Sequence, residues 1–449
     1  MNSFTRNTII LLIGLTLGVT LTMAGGVVAE RQSDSEQLPL ETVQALSEVF
    51  QRVKDNYVEE VDDKTLLENA IRGMLTGLDP HSSYLDEKAT TELRIGTSGE
   101  FGGLGIVVGM EDGFVKVVSP IDDTPAAKAG IRSGDLIIRI DDKSVKGMSL
   151  DDAVKLMRGK PGTKIVLTVV REGEDKPLTF ELERDKIRVE SVKARTLEDG
   201  YGYVRISNFQ KRTGSDLREE ISQLKKDNDG KLSGLVLDMR NNPGGLLDAA
   251  VSVSDAFITE GDIVSIKGRT EDNKQTARAT PGDILDGAPI VVLINGGSAS
   301  ASEIVAGALQ DHRRAIIMGS ESFGKGSVQS VIDLQNKTAI KLTTALYYTP
   351  DMRSIQADGI HPDIRLSDVT VAARTDEGLK PLREADLGGH LMNGSKEDTQ
   401  TDNGDGTTDN GDGADADKED KDDTLVSDDY PVFEALNLLK GMDLLGNRK

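Results

Sequence analysis

The spacing of apolar positions changes several times along this chain, and each change marks a different kind of structure. Leu40, Val43, Leu46, Phe50, Val53 and Tyr57 recur at helical intervals, as do Leu66, Leu67, Ile71, Met74, Leu75 and Leu78. That spacing predicts two amphipathic helices closed by Asp79-Pro80-His81, a pair too short to bury much surface without a neighbour. From Gly99 to Arg184 the apolar runs shorten to strand length and turns separate them. Val107-Val108, Phe114–Val118, Gly134–Ile140 and Lys164–Arg171 read as strands, with short helices at Pro125–Gly130 and Ser149–Arg158. From Gly202 to about Asp368 buried-strand runs alternate with helices, the pattern of an α/β layer. The strands are Tyr203–Ile206, Leu235–Asp238, Pro289–Asn295 and Ala315–Met318; the helices are Asp216–Leu224, Leu246–Phe257 and Glu303–Gln310.

Beyond Gly394 the apolar positions disappear. Thr401-Asp-Asn-Gly-Asp-Gly406 recurs as Thr408–Gly413, and residues 396–429 hold 14 acidic and 3 basic side chains. Such a stretch cannot bury enough apolar area to offset its ordering entropy, so a disordered acidic linker is predicted over 395–429. The ligand spacing of an EF-hand calcium loop is missing. After it, Val432, Phe433, Leu436, Leu438, Leu439, Met442 and Leu444 make an apolar helix over 430–449, expected to dock onto a second copy of the chain. At the other end Arg6 precedes an uncharged run, Asn7 to Ala29, that closes on small residues. It reads as a signal peptide or membrane anchor over 1–29, cleavage being favoured, which places the rest outside the cytoplasm. The remaining units are a helical region over 36–96, a strand-rich domain over 97–186 and a core over 187–375.

With 449 residues, several folded units are needed. The net charge of −23 argues against a nucleic-acid partner, since neutralising phosphates takes basic surface. The absence of cysteine excludes disulfides and thiolate metal sites. His81 and His312 lack companions at metal-ligand spacing, so no metal and no other cofactor is expected, and activity should survive chelation.

The 97–186 segment resembles a PDZ domain: Gly103-Leu104-Gly105-Ile106 leads a strand, and Ala129-Gly-Ile-x-x-Gly-Asp-x-Ile137 follows. In PDZ domains a loop of this kind captures a peptide's terminal carboxylate on its backbone amides while the peptide adds to the sheet edge.

The chemistry concentrates between strand Pro289–Asn295 and helix Glu303–Gln310. The turn between them sits at a helix N-terminus, where free amides and the dipole favour an oxyanion. It carries three serines, Ser298, Ser300 and Ser302, which this reading leaves nearly tied, though Ser302 looks most like a cap. Lys325, in Phe323-Gly-Lys-Gly326, is the candidate base. A free lysine has a pKa of about 10.4, and burial can lower it by roughly 3–5 units. The run Ser298-Ala-Ser-Ala-Ser-Glu-Ile-x-Ala-Gly-Ala-Leu-Gln-Asp311, with Phe323-Gly-Lys-Gly-x-Val-Gln329, Leu237-Asp-x-Arg-Asn-Asn-Pro-Gly-Gly245 and Leu78-Asp-Pro-His-Ser-Ser-Tyr84, resembles the carboxyl-terminal processing proteases. So does the order of helical region, PDZ domain and core. The resemblance spans about Leu40 to Leu366 and implies an α+β and α/β multidomain fold with a ClpP/crotonase-like α/β protease core. It implies Ser300 as nucleophile, Lys325 as base and Gln329 as the residue holding the lysine. An oxyanion hole is expected from the Ala301 amide with Gly244, Gly245 being the neighbouring alternative. Arg158, at the end of the PDZ helix, is the candidate for coupling tail binding to catalysis. Expected partners are C-terminal tails of envelope proteins, cell-wall hydrolases among the possible substrates, with an adaptor protein in some relatives and a homo-oligomer.

Rival readings are weaker. Gly319–Lys325 imitates a phosphate-binding loop, but Gly326 stands where the magnesium-binding hydroxyl belongs, and a strand follows. Ser222-Gln-Leu-Lys225 lacks the companion motifs of penicillin-binding enzymes. His361, in a Gly/Pro turn, suits a structural role. A catalytically silent PDZ scaffold is the rival from another class.

Overall fold

The computed structural model describes residues 39–271, 274–366 and 429–446. The expected leader over 1–29 and nearly all of the acidic linker lie outside them. Among the described residues no helix is long and apolar enough to cross a membrane.

Two compact units are present, divided after Tyr84. The first holds helices α1 (Leu40–Asn56) and α2 (Asp63–Thr76). The Asp62 side chain caps α2 by accepting from the Thr65 amide at 3.0 Å. Asp79 likewise accepts from the amides of His81 and Ser82, closing the Asp-Pro turn. Helix α1 has no buried residue, and its Leu40, Val43, Leu46 and Val49 stay exposed.

The second unit opens with α3 (Glu87–Ser98), capped by Asp86 and ended by Gly99 at φ +72°. The apolar pattern misses this helix because only Leu93 and Ile95 are large apolar residues within it. The strand-rich domain follows: β1 (Glu100–Gly103), β2 (Ile106–Glu111), β3 (Phe114–Pro120), α4 (Pro125–Lys128), β4 (Leu136–Ile140), β5 (Lys143–Ser144), α5 (Leu150–Met157), β6 (Lys164–Val170), β7 (Leu178–Glu183) and β8 (Asp185–Arg188). Strands pair in the order β2-β3-β4-β6-β7, with β5 on β4, while β1 pairs antiparallel with β8. Alternate residues Val115, Val117, Ile137, Ile165, Leu167 and Val169 fill a core of their own.

The α/β core comprises β9 (Val192–Glu198), β10 (Tyr201–Ile206), α6 (Thr213–Asp227), β11 (Gly234–Asp238), α7 (Leu247–Asp255), β12 (Asp262–Gly268), β13 (Gln275–Arg278), β14 (Ile290–Ile294), α8 (Ala301–Asp311), β15 (Ala315–Gly319), β16 (Ser327–Asp333), β17 (Ala339–Tyr348) and β18 (Ile364–Arg365). Six strands run in the order β9-β10-β11-β14-β15-β18, all parallel except the β9/β10 pair. A second sheet joins β16 to β17, β17 to β12 and β12 to β13, each pair antiparallel. Strands β11 and β14 are buried at every position because both faces are covered. Leu235, Leu237, Ile290, Val292 and Ile294 meet helices α6, α7 and α8.

The opposite face is covered by the C-terminal helix α9 (Tyr430–Gly446). Val432, Ala435 and Leu439 pack on Val236, Val291, Leu293 and Met318. Gly234 permits this, since a Cβ there would stand 3.0 Å from a Leu439 methyl. The expectation that this helix docks onto a second copy is thus corrected. Its apolar stripe finds the open face of its own sheet, so burial is achieved within one chain.

An ionic clasp fixes where α9 begins. Arg240 bridges the wholly buried Asp238 at 2.7 Å and Asp429 at 2.8 Å. Burial by itself would raise the Asp238 carboxyl, but hydrogen bonds and charge from Arg240 outweigh it and hold the pKa below the usual range. The neighbouring Tyr203 phenol, half-buried and donating to Asp238, is pushed up to about 12. A depressed folded pKa means that Asp238 stabilises the fold above its unfolded pKa and ceases to do so as pH falls through the folded value. Arg240→Met is expected to cost about 3 kcal/mol, because it strands a buried carboxylate on its weaker partners. Urea denaturation at neutral pH measures the loss, and the deficit should shrink in acid.

Candidate active site

Strand β14 ends at Ile294 and the chain turns through 295–300 into α8, placing Ser298 and Ser300 on the bend and Ser302 in the first turn of the helix. Two of their hydroxyls are committed to holding it. Ser298 Oγ donates to the Met239 carbonyl at 2.8 Å and accepts from the Asn295 amide at 3.0 Å. Ser302 Oγ donates to the Asn242 carbonyl at 2.9 Å. Both are fully buried, whereas Ser300 is part-exposed. Ser300 adopts φ +59°, ψ −113°, a conformation that costs a non-glycine residue about 1–3 kcal/mol and persists only where its surroundings over-determine it.

The surroundings centre on Glu303, which is entirely buried. Its Oε2 accepts from the Ser300 amide at 2.6 Å and from the Lys325 amide at 2.9 Å. Its Oε1 accepts from the Gly324 amide at 2.7 Å and from Ser322 Oγ at 2.6 Å. One carboxylate oxygen therefore ties the backbones of Ser300 and Lys325, whose amides are no further apart than those two bonds laid end to end. Four donors and a group that only accepts make a fully matched set. Pairing Glu303 with Ser300 at helix N3 was available from the Ser-x-x-Glu spacing of a capping box; its hold on residues 322–325 was not.

The loop bearing Lys325 is fastened on every side. Gly326 N donates to Gln356 Oε1 at 3.0 Å, and Gly326 O accepts from Tyr347 N at 2.9 Å. The Tyr347 hydroxyl donates to the Lys325 carbonyl. Lys325 itself is half-buried, beside the exposed Phe323. Gln329 lies on β16, where the register against β17 slips at Thr344. Its amide donates to Ser327 Oγ at 2.9 Å and to Thr343 Oγ1 at 3.5 Å.

The Gly244 loop closes on the same bend. Gly244 has φ +100°, and a Cβ there would lie 2.8 Å from Ser300 Cβ and 3.0 Å from the Ala301 nitrogen. The Gly244 amide, however, donates to Asn242 Oδ1 at 2.9 Å, so in this conformation its hydrogen bond is turned into the loop. Gly245, at φ +145°, follows directly. Gly244→Ala is expected to lower turnover about 10²-fold, since the added methyl must push against the Ser300 side chain. Peptidase assays with thermal unfolding as control would measure it.

In the strand-rich domain Gly103 ends β1, Leu104 is buried, and Gly105 turns at φ +77° into Ile106, the first residue of β2. Gly105 must be glycine, because a Cβ would strike Thr124 at 2.2 Å. Arg158 lies over the Phe101 ring at 5.0 Å, beside a cleft of about 720 Å³ between α3 and α5 that Ile95, Phe101 and Val154 line. Helix α3 links α5 to the hairpin of β16 and β17: Lys88 bridges Asp151 at 2.7 Å, and Arg94 bridges Asp333 at 2.8 Å.

Comparisons with known proteins agree with this anatomy. Residues 200–366 match the model of peptidase family S41, residues 116–171 that of a PDZ domain, and residues 21–89 that of the N-terminal domain of the activating protease CtpB. A carboxy-terminal-processing protease of Bartonella bacilliformis is 48% identical over 406 residues, 89% of this chain and 90% of that protein. The carboxy-terminal processing protease CtpA of Bacillus subtilis is 36% identical over 321 residues, 71% of this chain and 68% of that one. A solved photosystem II D1 C-terminal processing protease is 32% identical and covers 72% of this chain and 92% of its own, with a TM-score of 0.42. The chain belongs to the carboxy-terminal processing proteases, peptidases of family S41 equipped with a PDZ domain.

Proposed function

We propose that this peptidase is an extracytoplasmic serine endopeptidase in which Ser300 is the nucleophile, Lys325 its general base and Gln329 the residue that orients the lysine. The observation that carries this reading is the shared Glu303 oxygen, which locks Ser300 and Lys325 to one another while Ser298 and Ser302 are spent on the bend. In the reaction Ser300 Oγ attacks the scissile carbonyl carbon and its proton passes to the neutral Lys325 amine. The oxyanion is received by the Ala301 amide at the start of α8 together with the Gly244–Gly245 segment. For Gly244 to donate, its amide must leave Asn242; otherwise Gly245 supplies the second hydrogen bond. The ammonium then returns the proton to the departing amine, and water, deprotonated by the same lysine, releases the acyl group.

The substrates on this reading are proteins of the envelope, cell-wall hydrolases among them, cut near their C-termini. Their tails are held by the amides of Gly103–Ile106 and extend β2. Arg158 and the charged ties through α3 give tail binding a route to the catalytic hairpin. A homo-oligomer and an adaptor protein belong to the same proposal. A serine-directed fluorophosphonate locates the nucleophile: after digestion, mass spectrometry should find the adduct on Ser300. An adduct on Ser298 or Ser302, or cleavage of an unfolded protein by Ser300→Ala at the wild-type rate, would refute the assignment.

A further inference from the structure

Strands β11 and β14 lie side by side and parallel, and each runs at its C-terminal end into a segment that borders Ser300: the 239–245 loop after one, the bend after the other. Their last main-chain rung is the Met239 amide on the Leu293 carbonyl at 3.0 Å. Bonds of a parallel ladder are evenly spaced, so the next would join the Asn241 amide to the Asn295 carbonyl. That carbonyl is taken, since the Ser298 amide donates to it at 2.8 Å to close the bend. The Asn295 side chain supplies the missing rung instead. Its Oδ1 accepts from the Asn241 amide at 2.8 Å and from the Gly297 amide at 3.1 Å, and its Nδ2 donates to Asn241 Oδ1 at 2.9 Å. Two backbone amides, which can only donate, fix which end of the side chain is the oxygen. Asn241 meets this partner at φ +54°, in the left-handed region that asparagine tolerates better than most residues. The approach leaves no slack at Gly297, where a Cβ would stand 2.8 Å from Asn241 Oδ1 and 2.9 Å from Asn241 Cα.

From this arrangement we infer that Asn295 is a positioning residue of the peptidase, whose side-chain amide fixes the loop bearing Gly244 and Gly245 against the bend bearing Ser300. Glu303 aligns the serine with the lysine; Asn295 aligns the serine with the segment that receives the oxyanion. Asn295 is part-exposed and Asn241 exposed, so water competes for these bonds and they add little to stability. Their contribution is placement. A backbone donor stabilises the developing charge only if it already points at the spot where that charge appears. A displacement of about 1 Å between such groups can cost about 10²-fold in rate. The inference rests on Ser300 as nucleophile and on the Gly244–Gly245 segment as part of the oxyanion site.

The test compares wild type, Asn295→Leu, Asn295→Asp, Asn241→Ala and Ser300→Ala on one unfolded protein substrate, with kcat and KM resolved and fluorophosphonate labelling rates measured in parallel. Asn295→Leu keeps the bulk and removes all three bonds; it should lower kcat and the labelling rate together by roughly 10- to 100-fold while KM stays within about twofold. Asn295→Asp still accepts from both amides, and the Asn241 side chain can turn its NH₂ toward the carboxylate, so most of the lost labelling should return. Asn241→Ala deletes only the side-chain bond and should cost about threefold. Added to Asn295→Leu it should cost nothing more, because the bond it removes is already gone. A residue needed only for folding would lower the folded fraction and leave the labelling rate of the folded enzyme unchanged, which would overturn the inference. So would wild-type kcat in Asn295→Leu, an aspartate variant no better than the leucine one, or additive losses in the double variant. Should Asn295→Leu fail to fold, Asn241→Ala decides: wild-type kcat there overturns the inference as well. None of these results touches the nucleophile assignment, which activity in Ser300→Ala would sink.

Discussion

Lys325→Arg is expected to reduce hydrolysis of an unfolded protein to the background that Ser300→Ala leaves, a loss of roughly 10⁴-fold. Arginine keeps the length and much of the stem packing, but its guanidinium remains protonated at any pH at which the protein is folded, where the base must be neutral. It can therefore fill the site and still accept nothing from Ser300. Lys325→Met removes the amine and keeps the apolar stem, and should fail equally. Both variants should fold, because the Lys325 backbone, not its side chain, makes the bonds to Glu303 and Tyr347 that close the loop. Steady-state cleavage, with thermal unfolding to show that the fold survives, measures the effect. Appreciable turnover by the arginine variant would mean that another group takes the proton. The same experiment separates protease from scaffold, since a scaffold would not respond to a change confined to one amine.

Much of this architecture was legible in the chain because the relevant signals are local. Leu235–Asp238 and Pro289–Asn295 are unbroken apolar runs since both faces of their sheet are covered, and their helices carry one-sided stripes. The bend after β14 was legible as chemistry because strand, small residues and helix lie in one stretch. What was hidden depends on pairing between distant segments. Three serines at alternate positions are equivalent on paper; only the carbonyls of Met239 and Asn242, some 60 residues upstream, distinguish them by occupying two. Tyr347 arrives from a strand paired to β12, and nothing around it departs from ordinary strand alternation. The docking of α9 on its own sheet was missed for a related reason. An apolar helix reports that it needs a partner surface but not which one, and the open face formed by Val236, Val291 and Leu293 exists only once the sheet is assembled.

Glu303→Gln should have the second largest effect, lowering turnover roughly 10³-fold with substrate affinity little changed. The substitution is nearly isosteric, so packing against the fully buried position is preserved. What changes is one oxygen, replaced by an NH₂ that donates. In one flip of the amide that group meets the Ser300 and Lys325 amides; in the other it meets the Gly324 amide and Ser322 Oγ, whose hydroxyl alone can turn to accept. The second flip costs less and should be adopted, leaving the Gly324 amide without an acceptor at about 1–3 kcal/mol, while the bonds that remain lose their charge-assisted strength. Gly324, at φ +88°, directly precedes the lysine, so a shift there moves the base relative to the serine. Glu303→Asp keeps the charge but falls short by one methylene; it cannot span both segments, and should lose activity to a comparable degree. The signature that separates this from general unfolding is a fall in kcat and in fluorophosphonate labelling of Ser300 at temperatures well below the unfolding midpoint. If Glu303→Gln keeps wild-type kcat, the serine and the lysine do not depend on that shared oxygen, and their alignment must come from elsewhere in the site.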